Sequence, residues 1–212
     1  MIRYSLSDIL KKLQHIPYFQ ETSGGLILKS IPFFQDIDES VLMEASPSVT
    51  FKEYTEDEIV CRHGKFDQRF FYILSGSARA IIPTENNPRY ELYSLQSGDF
   101  FGEEVIFSTG PRENTIIVND TLFALSINSD VLKKKIESNK ETRNLVETKY
   151  FERKLKIDLR SVPVFTSLNE TLFKKVLERL DHISIPSETV VFKEKEQGDS
   201  FYLIRQGEVK VY

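Results

Sequence analysis

Residues 162–212 repeat residues 31–81 at a fixed offset of 131 positions, and this repeat constrains the fold more than any other feature of the chain. Pro32/Pro163, Phe34/Phe165, Glu39/Glu170, Val60/Val191, Phe70/Phe201, Ile73/Ile204 and Gly76/Gly207 are identical across it without a gap. Conservative matches such as Ser40/Thr171, Ile59/Val190 and Phe71/Tyr202 lie between them. The first copy continues past Ile81, whereas Tyr212, the counterpart of Ile81, is the last residue given. The chain therefore reads as a helical segment at 1–30, one complete domain at 31–160, and the first half of a second domain at 161–212.

Within the complete copy the residue pattern is that of β structure. Segments 48–54, 57–62, 69–74, 77–82, 89–95, 114–119 and 121–127 are rich in Val, Ile, Phe and Tyr. Turn residues divide them: Gly64, Ser75-Gly76, Asn86-Asn87-Pro88, Gly98, Gly102, Gly110-Pro111 and Asn119-Asp120. Short strands at this spacing predict a small antiparallel roll or barrel.

Helices are expected on either side. Leu6, Ile9, Leu10, Leu13 and Ile16 fall three and four apart, one apolar face of a helix over 5–16 with Ser7 as its N-cap. A short helix is expected around Glu39–Ala45. Residues 129–160 turn helical and heavily charged, with an interrupted apolar face of Leu132, Ile136, Leu145, Val146, Tyr150, Leu155 and Leu159. The class is α+β: a jelly-roll-like β-roll flanked by N- and C-terminal helices and followed by a partial second copy.

Composition limits the function. A net charge of −4 argues against a broad nucleic-acid surface. The single cysteine, Cys61, excludes an internal disulfide and fits a reducing compartment. With no apolar run that would serve as a signal peptide or membrane span, a cytosolic protein is expected, without membrane insertion within this chain. The three histidines, His15, His63 and His182, fall on different elements, so no metal site is expected. Cys61 lies mid-strand in apolar company and reads as core rather than nucleophile. Phosphate-loop, dinucleotide and nucleophile-elbow motifs are all lacking. Adjacent Glu103 and Glu104 point apart on a helix, which does not suit paired acid–base work. The reading is a protein without catalysis and without a cofactor.

One stretch concentrates binding chemistry. Leu95–Thr115 turns at Gly98-Asp99, reaches Gly102 at the start of a short helical turn with Glu103 and Glu104, and returns Arg112 to the mouth of the next strand. A glycine at a helix start lets backbone N–H groups approach an anion. An arginine supplies a fork of donors for phosphate, and an ionised Glu103 accepts from a sugar hydroxyl. Together these parts form a cradle for a sugar phosphate.

Leu-x-x-Gly-Asp-x-Phe-Gly-Glu, followed nine residues later by Arg112, resembles the phosphate-binding cassette of the cyclic-nucleotide-binding domain family. That family includes regulatory subunits of cAMP-dependent kinase, cyclic-nucleotide-gated channels and catabolite activator proteins. The resemblance covers residues 31–160, and residues 162–212 resemble half of another copy. It implies a ligand, cAMP or cGMP. Gly102 and Val105 would offer backbone N–H groups, Glu103 would take the ribose 2′-hydroxyl, and Arg112 would pair the cyclic phosphate. The amides of Glu113 and Asn114 would finish the phosphate shell, and Tyr150 or Phe151 would stack on the base. It further implies a regulatory module that acts on a protein effector or downstream domain as its C-terminal helices move. The alternative is a degenerate fold that serves as an interaction scaffold without nucleotide. Glu113 departs from the family, which has a small residue there. Two like charges about 4 Å apart at an effective dielectric of about 20 repel by about 4 kcal/mol, unless Glu113 turns to solvent or meets another cation.

Overall fold

Five apolar residues in a row, Phe70 to Leu74, form the middle of strand β3 (Arg69–Ser75) and are buried on both faces. Side chains alternate along a strand, so such a run demands cover above and below. In the computed structural model, which describes residues 28–35, 49–84, 87–181, 183–204 and 207–212, both covers are present. The expected helices at 5–16 and Glu39–Ala45, together with His15 and His182, lie outside the described residues.

Eight strands form two four-stranded antiparallel sheets. The first has the order β1 (Thr50–Tyr54), β8 (Leu122–Asn128), β3, β6 (Phe100–Phe101). The second has the order β2 (Ile59–Cys61), β7 (Thr115–Val118), β4 (Ser77–Ile82), β5 (Tyr90–Gln96). Phe71 and Ile73 join Cys61, Ala78, Ala80, Leu95, Phe101, Ile116, Val118 and Leu122 in one core. Phe70, Tyr72 and Leu74 join Ile31, Phe34, Phe123, Leu125, Leu132, Ile136 and Val146 in a second, formed by helices and the entry turn. The α+β class and antiparallel roll read from the sequence are the fold observed. All seven expected strands are present, shifted by one or two residues at their ends. The eighth, β6, has two residues, too few to leave a periodic signal.

Helix α1 (Glu104–Phe107) follows β6, and α2 (Ser129–Ser138) and α3 (Lys140–Ser161) follow β8. Two capping asparagines divide the region expected as one helical stretch. Asn128 accepts from the backbone N–H of Asp130, and Asn139 from that of Thr142. Leu132, Ile136, Val146 and Leu159 are buried as their spacing requires, but Leu145 is exposed because the face that packs runs through Val146.

The repeated half opens on a proline-led turn, as the first does at Pro32–Phe34. Pro163 opens α4 (Pro163–Thr166) and Asn169 caps α5 (Glu170–Glu178). Phe165 and Phe173 are buried with Leu159, as Phe34 is in the first copy. Beyond α5, however, the described residues of 183–212 form no strand and expose Val190, Phe192, Phe201, Ile204 and Val211. The reason is topological. Every ladder in the roll joins one of β1–β4 to one of β5–β8. In sequence, 162–212 matches the part of the chain that holds β1–β4, whose ladder partners in the roll all come from β5–β8.

Arg160, in the last turn of α3, fastens the roll to this second unit. It is buried and donates through Nη1 to the carbonyls of Phe165 and Leu168, each at 2.9 Å. Its Nη2 donates to the Tyr90 hydroxyl of β5 and to Glu170, and the guanidinium lies between the rings of Tyr90 and Phe173. Arg160→Leu will remove the side-chain donors to the Phe165 and Leu168 carbonyls and leave Glu170 without its cation, at a cost of about 2–4 kcal/mol. Hydrogen exchange is expected to quicken over 163–178 while the β3 amides stay slow.

Candidate functional site

The cassette is hung from β3. Ile73 donates to the Asp99 carbonyl at 2.8 Å and accepts from the Gly98 N–H at 2.9 Å, which fixes the turn after β5. The Asp99 carboxylate closes that turn by accepting from the Gln96 N–H. Strand β6 then delivers Gly102 at φ +82°, a left-handed conformation that glycine adopts readily. A Cβ there would lie 2.7 Å from both the Arg69 carbonyl oxygen and Arg112 Nη1. Gly102 is therefore needed twice, for its backbone angle and because the arginine lies directly against it.

Arg112 is almost wholly buried, at 2% exposure. Nη1 donates to Glu104 Oε1 at 2.8 Å, Nη2 donates to the Arg69 carbonyl, and Asp67 Oδ2 is 3.5 Å from Nη2. Its backbone is pinned by the β2–β3 loop, with Gly64 donating to the Arg112 carbonyl and Arg112 to that of Lys65. His63 Nδ1 lies 2.9 Å from the Glu113 carbonyl, and the His63 N–H donates to Thr115 Oγ1.

Helix α3 crosses the open side of the cassette. Arg153 Nη1 donates to the Phe100 carbonyl at 2.8 Å and lies 2.9 Å from Glu103 Oε2, with the guanidinium over the Tyr93 ring. Burial pushes the Glu103 carboxyl above its ordinary pKa, against the pull of Arg153. One turn along, Lys154 Nζ lies 2.9 Å from Glu113 Oε1 and 3.0 Å from Asp158 Oδ1. Burial alone would lower the Lys154 pKa, but its hydrogen bonds to Glu113 and Asp158 raise it.

Of the residues singled out in the sequence, Gly102, Glu103, Arg112 and Glu113 are brought together around one cradle. The Val105 N–H lies within the α1 turn, 3.4 Å from the Gly102 carbonyl. Asn114 is buried and donates through its side chain to the Tyr93 hydroxyl. Tyr150 and Phe151 sit beside the cassette and stack on Phe107 of α1, Tyr150 at 4.8 Å between centroids. Sequence reasoning gave no binding role to Asp67, Glu104, Arg153 or Lys154. The last two stand in the charged helical region expected over 129–160, next to Tyr150 and Phe151.

Two buried side-chain polar atoms of this cradle stand out: Glu103 Oε2, whose partner is the Arg153 guanidinium 2.9 Å away, and Arg112 Nε, which has no hydrogen-bond partner. One is an acceptor and the other a donor. Buried polar atoms are nearly always paired, which makes the unpartnered Arg112 Nε an exception.

The model of the cyclic nucleotide-binding domain family matches residues 51–139, from β1 to the end of α2. Over that stretch the roll of this chain is similar to the cyclic nucleotide-binding domain family. Among curated relatives, a cAMP-dependent protein kinase regulatory subunit of Blastocladiella emersonii is 22% identical over 84% of this chain and 42% of its own length. A cyclic nucleotide-gated potassium channel of Mesorhizobium japonicum is 27% identical over 65% of this chain and 38% of its own. The chain thus spans about two fifths of the length of these relatives. The regulatory domain of Toxoplasma gondii PKA, solved with cAMP, shares the fold at TM-score 0.51 and 22% identity, over 60% of this chain and 48% of that one. No helix among the described residues is long and apolar enough to cross a membrane.

Two outcomes are expected of this roll and its cassette. Gly102→Ala will strain the backbone and displace Arg112, with a loss of about 1–3 kcal/mol in thermal or denaturant unfolding. Cys61 is buried, and burial pushes its thiol up to about 12. The native chain will therefore resist iodoacetamide at pH 8 and react at one site once unfolded.

Proposed function

We propose that the roll binds a cyclic nucleotide, cAMP or cGMP, and works as a non-catalytic regulatory module. The observation that carries this reading is the buried Arg112 Nε, which has no hydrogen-bond partner, in one cradle with the buried carboxylate of Glu103. Glu103 Oε2 suits a ribose hydroxyl and Arg112 Nε suits a phosphate oxygen, nine residues apart in sequence and in one cradle. The relatives named for cAMP or cyclic nucleotides support the same ligand class.

Coupling follows from the contacts. A ribose hydroxyl arriving at Glu103 meets the carboxylate that Arg153 of α3 holds, so occupancy alters how α3 is held on the cassette. Such a ligand shifts a two-state element only by its differential contacts with the two states. The far end of α3 carries Arg160, through which a shift would reach α4 and α5 and whatever protein effector or domain lies beyond. The single cysteine, buried and reduced, supports a cytosolic setting.

Calorimetric titration of the full chain with cAMP and cGMP tests this. One of the two is expected to bind, and Arg112→Ala to weaken it by about 100-fold, the worth of one or two charge-assisted hydrogen bonds. Binding unchanged by Arg112→Ala overturns the assignment of the cradle. No binding by the parent or by Glu113→Gln favours the alternative, a scaffold that keeps the fold.

A further inference from the structure

Glu113 sets a problem that the cradle must solve. It follows the phosphate-seeking Arg112 directly, and its side chain is only 22% exposed. Arg112 already faces Glu104 and Asp67, so it has no spare positive charge for a third carboxylate. An incoming phosphate would meet Glu113 at short range, where like charges repel strongly.

One side chain relieves this. Lys154 reaches from α3 to Glu113 Oε1 and is held in line by Asp158 one turn further on. Tyr150, Lys154 and Asp158 fall four residues apart, a single stripe of the helix, so this stripe faces the phosphate end of the cassette. Tyr150 also senses Glu113, whose charge helps to raise its pKa beyond the leading effect of burial.

We infer that Lys154 is a positioning residue of the binding site: it draws the Glu113 carboxylate aside and neutralises it, so that the phosphate can reach Arg112. This deepens the cyclic-nucleotide reading and rests on it. Lys154 acts through Glu113 rather than on the ligand, and that origin has a signature. Removing the lysine is harmful only while the glutamate is present.

Calorimetry with cAMP and cGMP on the full chain reads this signature directly, using Lys154→Gln, Lys154→Arg, Glu113→Gln and the double variant Lys154→Gln/Glu113→Gln. Both side chains are partly exposed, and thermal unfolding checks that each variant is folded. Lys154→Gln is expected to weaken binding by about tenfold or more, and Lys154→Arg to stay close to the parent. The double variant is expected to recover to within about threefold of Glu113→Gln. Binding by Lys154→Gln equal to the parent, or a double variant as weak as Lys154→Gln, overturns the inference. Binding by Glu113→Gln with none by the parent also overturns it, while leaving the cradle in place. No binding by either removes the cyclic-nucleotide reading itself, and this inference with it.

Discussion

A guanidinium placed in a protein interior must find counter-charge and acceptors, because removing it from water costs several kcal/mol after relaxation. Arg112 is such a group, and much of the roll's upper end is arranged around it. Glu104 of α1, Asp67 of the β2–β3 loop and the Arg69 carbonyl of β3 all converge on its two terminal nitrogens. These partners come from three separate parts of the chain, so the arginine ties them together. Gly102 is the opening that lets it lie there. The remaining nitrogen, Nε, has no hydrogen-bond partner.

The same accounting holds around the arginine. Glu103, Glu104 and Glu113 would make the cassette strongly acidic if left alone, yet each has its own cation: Arg153, Arg112 and Lys154. Two of those cations stand side by side on α3. The helix therefore covers the cassette by charge as well as by the aromatic stack of Tyr150 and Phe151 on Phe107. Displacement of either pair changes how firmly the helix is held.

Much of this was legible in the sequence, for physical reasons that also mark the limits. Phe70–Leu74 and the turn residues around it announce a strand buried on both faces, and the Gly102-Glu103…Arg112 spacing announces the cradle. What the sequence concealed was pairing at a distance. Asp67, Arg153 and Lys154 carry charges that on an unfolded page look solvated, and only the packing of α3 and of the β2–β3 loop turns them inward. Glu104 was dismissed with its neighbour because adjacent residues point apart, and pointing apart is what gives each carboxylate a different cation. Leu145 went the other way: its place in an apolar series suggested burial, but the packing stripe of α3 passes through Val146 instead.

The ladder pattern has a consequence for how the chain comes to be folded. Strand β8 is the last of the eight to leave the ribosome, yet it lies between β1 and β3 and pairs with both. Thr50 pairs with Ser126, 76 residues later, and β1 has no other neighbour in its sheet. The first sheet therefore cannot zip up progressively during synthesis. Its early strands wait with unpaired edges until residues 122–128 arrive, and contacts this distant in sequence make for slow assembly. During that interval the apolar faces of β1 and β3 are exposed to other chains, which makes the nascent half-roll, rather than the finished domain, the state most prone to mispairing.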